Sequence, residues 1–398
     1  MNKTERIHST AAVQNPARRG ISGHSVVLDA VTGFVRRNIV LTIAAVLALA
    51  TSVIVPPDEA YIGYFDFRTL TCLFCTLAVI CALGEIRFFY VCAEKIISLA
   101  KNLRLAAIAL VYITFIGSML IANDMALLTF LPLGYIVLHC TGNERYMAYI
   151  FILQNIAANL GGMLTPFGNP QNLYLYTKFN IPDGEFMLIM LPCFLLAIFM
   201  ITVSVIIFIK PEPLEFSGTE RKLPLARVVI YLLLFVFSIL CVFRLIHYLF
   251  ALIIIPIAIL IMDRKALAHV DYGLLLTFVF FFIFSGNMAR IEAVKDLFSA
   301  LLEKSTLVVS ALSCQVISNV PSAILLSQFT ANYKELLLGV NIGGCGTVIS
   351  SLASLITFKE FTEHNKGGGA KYLLVFSAFN FTFLAVMLAF SLLTLGLW

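Results

Sequence analysis

Two interruptions inside otherwise apolar sequence constrain this chain most: NLGGMLTPFGNPQNL at 159–173 and NIGGCGTVISSLASL at 341–355. Asn159, Gly161, Gly162, Thr165 and Leu173 recur 182 positions later as Asn341, Gly343, Gly344, Thr347 and Leu355. Glycine and threonine weaken a helix, and Pro166 and Pro170 lack the donor that a helix interior uses, so both stretches are expected to be unwound. In hydrocarbon an unwound backbone must be satisfied by protein, water or ligand. Paired Gly/Pro breaks at matching places in two halves therefore point to the binding site of a transporter.

The hydrocarbon setting follows from composition. Of 398 residues 60% are hydrophobic and 12% charged, with a mean hydropathy of +0.96, whereas soluble domains carry about a quarter charged residues. Apolar runs near the length of a bilayer span lie at 38–55, 66–84, 146–164, 185–209, 227–243, 248–262, 272–288 and 372–397. With two interrupted apolar regions, they give roughly ten or eleven helical elements of an all-α polytopic membrane protein. The longest internal polar stretch, 210–226, is too short for a soluble domain.

Charge sets the expected topology. Residues 1–37 are polar and basic and lack the short n-region and small-residue cleavage site of a cleaved signal, so they read as a cytoplasmic tail before a retained anchor. Arg18-Arg19 also fits a twin-arginine address, but a topology-holding tail is the simpler reading. With the N-terminus inside, all but seven of the 27 Lys and Arg fall on cytoplasmic segments. The net charge of +5 is then topological, and no nucleic-acid surface is expected. The chain divides into the tail 1–37, a first transmembrane repeat 38–209, a cytoplasmic linker 210–226 and a second repeat 227–398. A bacterial inner membrane is the expected location.

The nine cysteines are odd in number and mostly inside apolar runs, where Cys packs as a small hydrophobe. Cys72 and Cys75 form C-x-x-C at helical spacing without a second ligand pair, so neither zinc nor a disulfide is expected.

Each half carries the same order of parts. A span from Asp66 is followed by an amphipathic stretch, 85–102, and an apolar region, 105–138, interrupted at Asn123-Asp124; a span after Asp271 is followed by 289–305 and an apolar region, 306–329, interrupted at 318–321. The amphipathic stretches fit the membrane interface. Each interrupted region is long enough for a re-entrant helical hairpin with a polar tip. One hairpin entering from each side makes the halves an inverted repeat.

ANDMALLTFLPL (122–133) and SNVPSAILLSQF (318–329) resemble the paired Ser-Asn-Thr tips of divalent anion:sodium symporters, and GGMLTPFGNPQN (161–172) is similar to the break after the first tip in that family. The Ala-Asn-Asp tip and GVNIGGCGTVISSLASL (339–355) resemble the arsenite permease and citrate-transporter-like branches. The chain is thus identified as a member of the ion transporter superfamily. The resemblance implies a Na+ site at Asn123 with Gly162 or Gly168, a second at Asn319 with Thr347, and Thr165, Asn169, Ser318, Ser350 and Ser351 as further substrate- or ion-binding residues. Ala122 replaces the tip serine in one half. The third tip residue, a carboxylate-binding threonine in the dicarboxylate carriers, is Asp124 here and Val320 in the other half, so that part of the family's substrate chemistry does not carry over. A homodimer is also what the resemblance implies.

Asp124 lies about twenty residues into an apolar region, where an ionised carboxylate costs a few kcal/mol unless paired or protonated. It reads as a proton or cation coupling site, with a helix N-cap as the alternative. His139, His247 and His269, and the charged residues Glu85, Arg104, Arg244 and Arg290, fall near span ends, where snorkelling to interfacial water is expected. Asn172, Asn287 and Gln154 suit the cavity or bonds between helices.

These features predict a secondary active transporter of a small anion or oxyacid, such as a carboxylate or arsenite, coupled to Na+ or H+ and needing no other cofactor. No Lys or Arg interrupts the four motif regions, so an anion's charge is expected to meet helix ends, backbone amides, hydroxyls and co-bound cations. A cation/proton antiporter is the alternative within transport. An intramembrane enzyme is disfavoured because H-E-x-x-H, G-x-S-x-G and a second intramembrane acid to pair with Asp124 are all missing, and the chain has no P-loop for ATP.

Overall fold

The computed structural model describes residues 38–214 and 222–394, with Val35 and Phe216. The basic tail, apart from Val35, and linker positions 215 and 217–221 lie outside the described residues. Among those described, regular structure is helical. The first half runs α1 (Ile39–Ile54), α2 (Phe67–Glu85), α3 (Phe88–Ile97), α4 (Leu103–Ile121), α5 (Asn123–Cys140), α6 (Met147–Gly161), α7 (Pro170–Lys178) and α8 (Asp183–Phe208). The second runs α9 (Leu225–Val242), α10 (Tyr248–Met262), α11 (Arg264–Ala268), α12 (Tyr272–Ala289), α13 (Glu292–Lys304), α14 (Thr306–Ile317), α15 (Asn319–Leu326), α16 (Tyr333–Ile342), α17 (Leu352–His364) and α18 (Gly369–Thr394). Eight helical segments are long and apolar enough to cross a membrane, and α1, α10 and α14 are shorter apolar helices. The chain is a polytopic integral membrane protein.

Local chemistry starts these elements at matching points. Asp66 accepts from the Thr69 amide at 2.9 Å to open α2, and Asp271 accepts from the Leu274 amide at 2.9 Å to open α12. Such caps contribute about 1 kcal/mol each. Each capped span is followed by a short helix, α3 or α13, then by the hairpin α4–α5 or α14–α15, then by a helix broken in two, α6–α7 or α16–α17. The first amphipathic element is shorter than 85–102, because Glu85 still belongs to α2 and Arg87 turns the chain at φ 56°. Its end is set by Asn102, whose side chain accepts from the Leu105 amide at 3.0 Å and starts α4.

Apolar burial forms two clusters. The larger joins both hairpins, both broken helices, α8 and α18. The smaller joins α2, α9 and α10 with Ala266 and Val270, and α2 contributes to both.

α1 lies along α12 in parallel. Asn38 stands beside Gly273 at one end, and Asn287 Nδ2 donates to the Thr51 and Ser52 hydroxyls at 3.3 Å near the other. The Tyr64 ring covers Gly286 there, where a Cβ would come within 2.4 Å of it. Arg290 closes this end with a two-pronged bond to Asp58, at 3.0 and 2.7 Å, and a bond to the Tyr64 hydroxyl at 3.1 Å. The same guanidinium holds the Asp58 carboxyl below its usual range.

The charged residues near span ends also find partners within the protein, and Glu85 and Arg290 stay exposed. Besides Arg290, Arg244 donates to the Tyr176 and Ile181 carbonyls at 2.7 and 3.1 Å and lies 4.1 Å above the Tyr176 ring. It thus grips the end of α7 from the α9–α10 turn. Arg104 donates to the Ile209 carbonyl at 2.8 Å, and Glu85 pairs with His269 at 2.5 Å. Asn172, Asn287 and Gln154 all bond between segments: Gln154 Nε2, for example, donates to Thr114 Oγ1 and the Phe130 carbonyl, both at 3.1 Å.

Candidate substrate and ion site

Both hairpins turn through one strained residue. Ala122 has φ 66°, ψ 153° and Ser318 has φ 72°, ψ 161°, a region that side-chain-bearing residues avoid at a cost of about 1–3 kcal/mol. The next residue is an asparagine in each case. Asn123 Oδ1 accepts from the Asp124 amide at 3.0 Å, and Asn319 Oδ1 accepts from the Val320 amide at 2.9 Å. Each side chain thereby satisfies a donor that the start of its helix leaves free. Both asparagines are only 3% exposed, so neither tip is a solvent loop.

The breaks hold the tips by matching contacts. Thr165 Oγ1 donates to the Met119 carbonyl at 2.8 Å, and Thr347 Oγ1 donates to the Gln315 carbonyl at 3.0 Å. Each acceptor lies three residues before its strained tip residue. Gly161 packs against Phe115 and Ser118 of α4, as Gly343 packs against Ala311 and Cys314 of α14. Ser350 adds a further attachment in the second half, its carbonyl accepting from the Asn319 amide at 2.9 Å.

The two breaks also meet each other. Asn159 Nδ2 donates to the Gly344 carbonyl at 3.3 Å and Ser351 Oγ at 3.0 Å, while its Oδ1 accepts from Asn123 Nδ2 at 3.1 Å. Asn341 answers from the other side: its Nδ2 donates to Asn172 Oδ1 at 2.6 Å, and its Oδ1 accepts from Asn169 Nδ2 at 3.2 Å. Asn172 Nδ2 in turn donates to the Gly162, Met163 and Thr165 carbonyls at 3.2–3.4 Å. Unwound carbonyls are thus met by carboxamides, as burial requires.

Against these tips lies a cavity of about 500 Å³. Asn123, Asp124, Ser318 and Asn319 line it, as expected from the sequence. Gly162, Thr165, Gly168, Asn169, Thr347, Ser350 and Ser351 stand behind the tips in the breaks instead. Gly168 and Gly162 are so close that a Cβ on Gly168 would come within 2.4 Å of the Gly162 carbonyl oxygen. Six helices present their N-terminal ends to the cavity: α1 at Asn38–Leu41, α5 at Asn123, α7 at Pro170, α12 at Asp271, α15 at Asn319 and α17 at Leu352. Each such end carries about half a positive charge. The exposed lining residues Asp271 and Lys359 mark its mouth, on the side of the α1 and α12 N-termini.

Asp124 is not a helix cap. It is the second residue of α5, after the turn at Ala122, and its Oδ1 is buried without a partner. The capping contact belongs to Asn123.

Sequence reasoning missed Gln171, Asp271 and Lys359. Lys359 had a signal: Leu352, Leu355, Ile356 and Lys359 form one stripe at helical spacing from the end of the second break. Gln171 had a weaker one, following a proline at the first position of a helix. Asp271 had none beyond its role as a cap.

A family model described as Citrate transporter (CitMHS) matches residues 26–335, taking in both tips and the first break. An uncharacterized transporter of Methanocaldococcus jannaschii is 32% identical over 353 residues, 87% of this chain and 94% of that protein. The inner membrane protein YbiR of Escherichia coli is 27% identical over 278 residues, 68% of this chain and 74% of its own length.

Proposed function

Since this chain belongs to the citrate transporter family, we propose that it is a secondary active transporter moving a small anion or oxyacid, coupled to Na+ or H+ by alternating access. That it is a membrane transporter follows from the family. The finer reading rests above all on one observation: six helix N-termini and the base Lys359 converge on a single cavity. Amide ends and a cation favour negative charge or polarised oxygen. The two tips offer oxygens for hard cations, Asn123 backed by Gly162 and Gly168, and Asn319 backed by Thr347 and Ser350. A cation bound there lowers the cost of bringing an anion into a cavity that also holds Asp124 and Asp271.

In this reading the halves are an inverted repeat, the N-terminus is cytoplasmic, and the cavity opens inward. The body containing the hairpins and breaks moves against the α2, α9 and α10 body, and the name of the Escherichia coli relative, an inner membrane protein, supports residence in an inner membrane. Asp124, buried with a free oxygen, carries the coupling proton or balances the cation. That free carboxylate oxygen also favours a second reading, cation/proton antiport, in which Asp124 is the exchange site and no anion moves.

The test is uptake into proteoliposomes without nucleotide. Citrate, succinate, sulfate and arsenite are offered under an inward Na+ gradient, a proton gradient or neither. Gradient-dependent accumulation of one of them is expected. Proton movement driven by Na+ alone, with none of them accumulating, would overturn the anion reading in favour of antiport.

A further inference from the structure

Gln171 is the second residue of α7, is 1% exposed, and lines the cavity beside Asn123 and Asp124. Its carboxamide has a fixed orientation. Asn341 Nδ2 is committed to Asn172 Oδ1 at 2.6 Å and to the Leu337 carbonyl at 2.8 Å, so its Oδ1 faces the first break as an acceptor. Gln171 must therefore turn its Nε2 to that oxygen, 3.5 Å away, because a flipped amide would set two acceptors against each other. The other branch, Oε1, is buried and has no donor in the protein. A buried acceptor left unmet is costly, and a site built that way discriminates against ligands that cannot supply the missing donor.

The neighbouring chemistry agrees. Asp124, which lines the same cavity, also has a buried acceptor, Oδ1, without a donor. An ionised carboxylate or sulfate brings only acceptors. A hydroxyl brings a donor.

Resting on the transport reading above, we infer that Gln171 is a specificity-determining residue: its carboxamide oxygen accepts a hydrogen bond from a hydroxyl of the substrate, and the site selects hydroxylated acids over otherwise similar ones that lack the hydroxyl. The helix ends hold the acid group, while Gln171 reads the hydroxyl.

The experiment uses the full chain in proteoliposomes and compares competition by hydroxyl-bearing probes (citrate, malate, arsenous acid) with hydroxyl-free ones (tricarballylate, succinate, sulfate) at fixed Na+ and pH. Citrate and tricarballylate, like malate and succinate, differ by one hydroxyl. The wild type should favour the hydroxylated member by about tenfold or more. Gln171→Met, which keeps the length and loses the acceptor, should weaken the hydroxylated probes by about that factor and leave the others unchanged. Gln171→Asn, which keeps a shortened carboxamide, gives a second variant should Met disturb assembly, and its discrimination should fall between the two. The inference is overturned if the wild type does not discriminate, if Gln171→Met weakens both sets equally, or if its Na+ affinity falls while discrimination persists, since the oxygen would then be a cation ligand. In each of those outcomes transport itself survives. A wild type that neither binds nor moves any probe of either set would overturn the anion-transport reading instead.

Discussion

Gly161→Ala probes the seam that holds the first tip. An ideal Cβ at this position would stand 2.2 Å from the Phe115 carbonyl oxygen, 2.7 Å from Ser118 Oγ and 2.9 Å from the Phe115 carbonyl carbon. Two of those atoms are backbone of α4 and cannot swing aside. Restoring a normal contact requires α6 to retreat from α4 by about 1 Å, and overpacking of this kind costs about 1–3 kcal/mol. Alanine's better helix propensity offsets at most about 1 kcal/mol. The net loss is expected at about 1–2 kcal/mol. The same retreat stretches the Thr165–Met119 bond and the Asn123–Asn159 bond. Losing one of them is worth about 1 kcal/mol, or about fivefold in affinity at the tip. Gly343→Ala would set its Cβ 2.8 Å from the Cys314 Sγ and the Gly339 carbonyl oxygen and 2.9 Å from the Ala311 Cα; backbone blocks it too, but its nearest approach is longer than the 2.2 Å at Gly161, so a somewhat smaller loss is expected. Gly84→Ala in α2 meets nothing within 4 Å and should be neutral or slightly stabilising. Thermal unfolding of the purified variants, with Na+-dependent or pH-dependent uptake in proteoliposomes, reads both effects. The reasoning is refuted if Gly161→Ala melts and transports like the wild type, or if Gly84→Ala suffers as much.

Asp124→Asn should abolish gradient-driven uptake about as fully as Asp124→Ala while unfolding nearly as the wild type does; uptake close to normal would discard the coupling role. Thr165→Val and Thr347→Val each delete one hydroxyl bond to a hairpin carbonyl, so each should cost about 1 kcal/mol in unfolding free energy, and very different losses would argue against the matching roles of the two breaks. Lys359→Gln removes the one base lining the cavity among the described residues and should raise the half-saturating concentration of an anionic substrate severalfold, with a weaker dependence on ionic strength; an unchanged value and salt response would remove Lys359 from substrate attraction.

The features legible in the sequence were those written as local backbone chemistry. Glycine, threonine and proline cannot hide in an apolar helix, so the breaks at 159–173 and 341–355 and the tips at Asn123 and Asn319 could be read directly, and the structure brings them together. The features that escaped depend on which distant group comes near. Arg290 finds Asp58 and Tyr64 more than two hundred positions away, and Arg244 finds the Tyr176 carbonyl; sequence placed these residues near span ends but could not name their partners. The strained turns at Ala122 and Ser318 were invisible because neither residue is one that favours positive φ, and only the tertiary fit of the hairpins imposes it. Asp124 was legible as an unusual acid but not as an uncapping one, since the neighbouring Asn123 takes the contact that a cap would make. Gln171 was read as part of a break motif and not as a lining side chain, because its free oxygen is defined only by the orientation of Asn341 across the interface between the halves.

The most direct test of the central claim, that paired tips and breaks form one gradient-coupled site, is uptake by Asn123→Ala, Asn319→Ala and the double variant beside the wild type. All four are reconstituted at equal density without nucleotide and driven by a Na+ or proton gradient. The account predicts gradient-dependent accumulation by the wild type and at least tenfold loss in each single variant, with thermal unfolding changed by no more than about 1–2 kcal/mol, since each asparagine holds only a few bonds. Full accumulation by the double variant would contradict it.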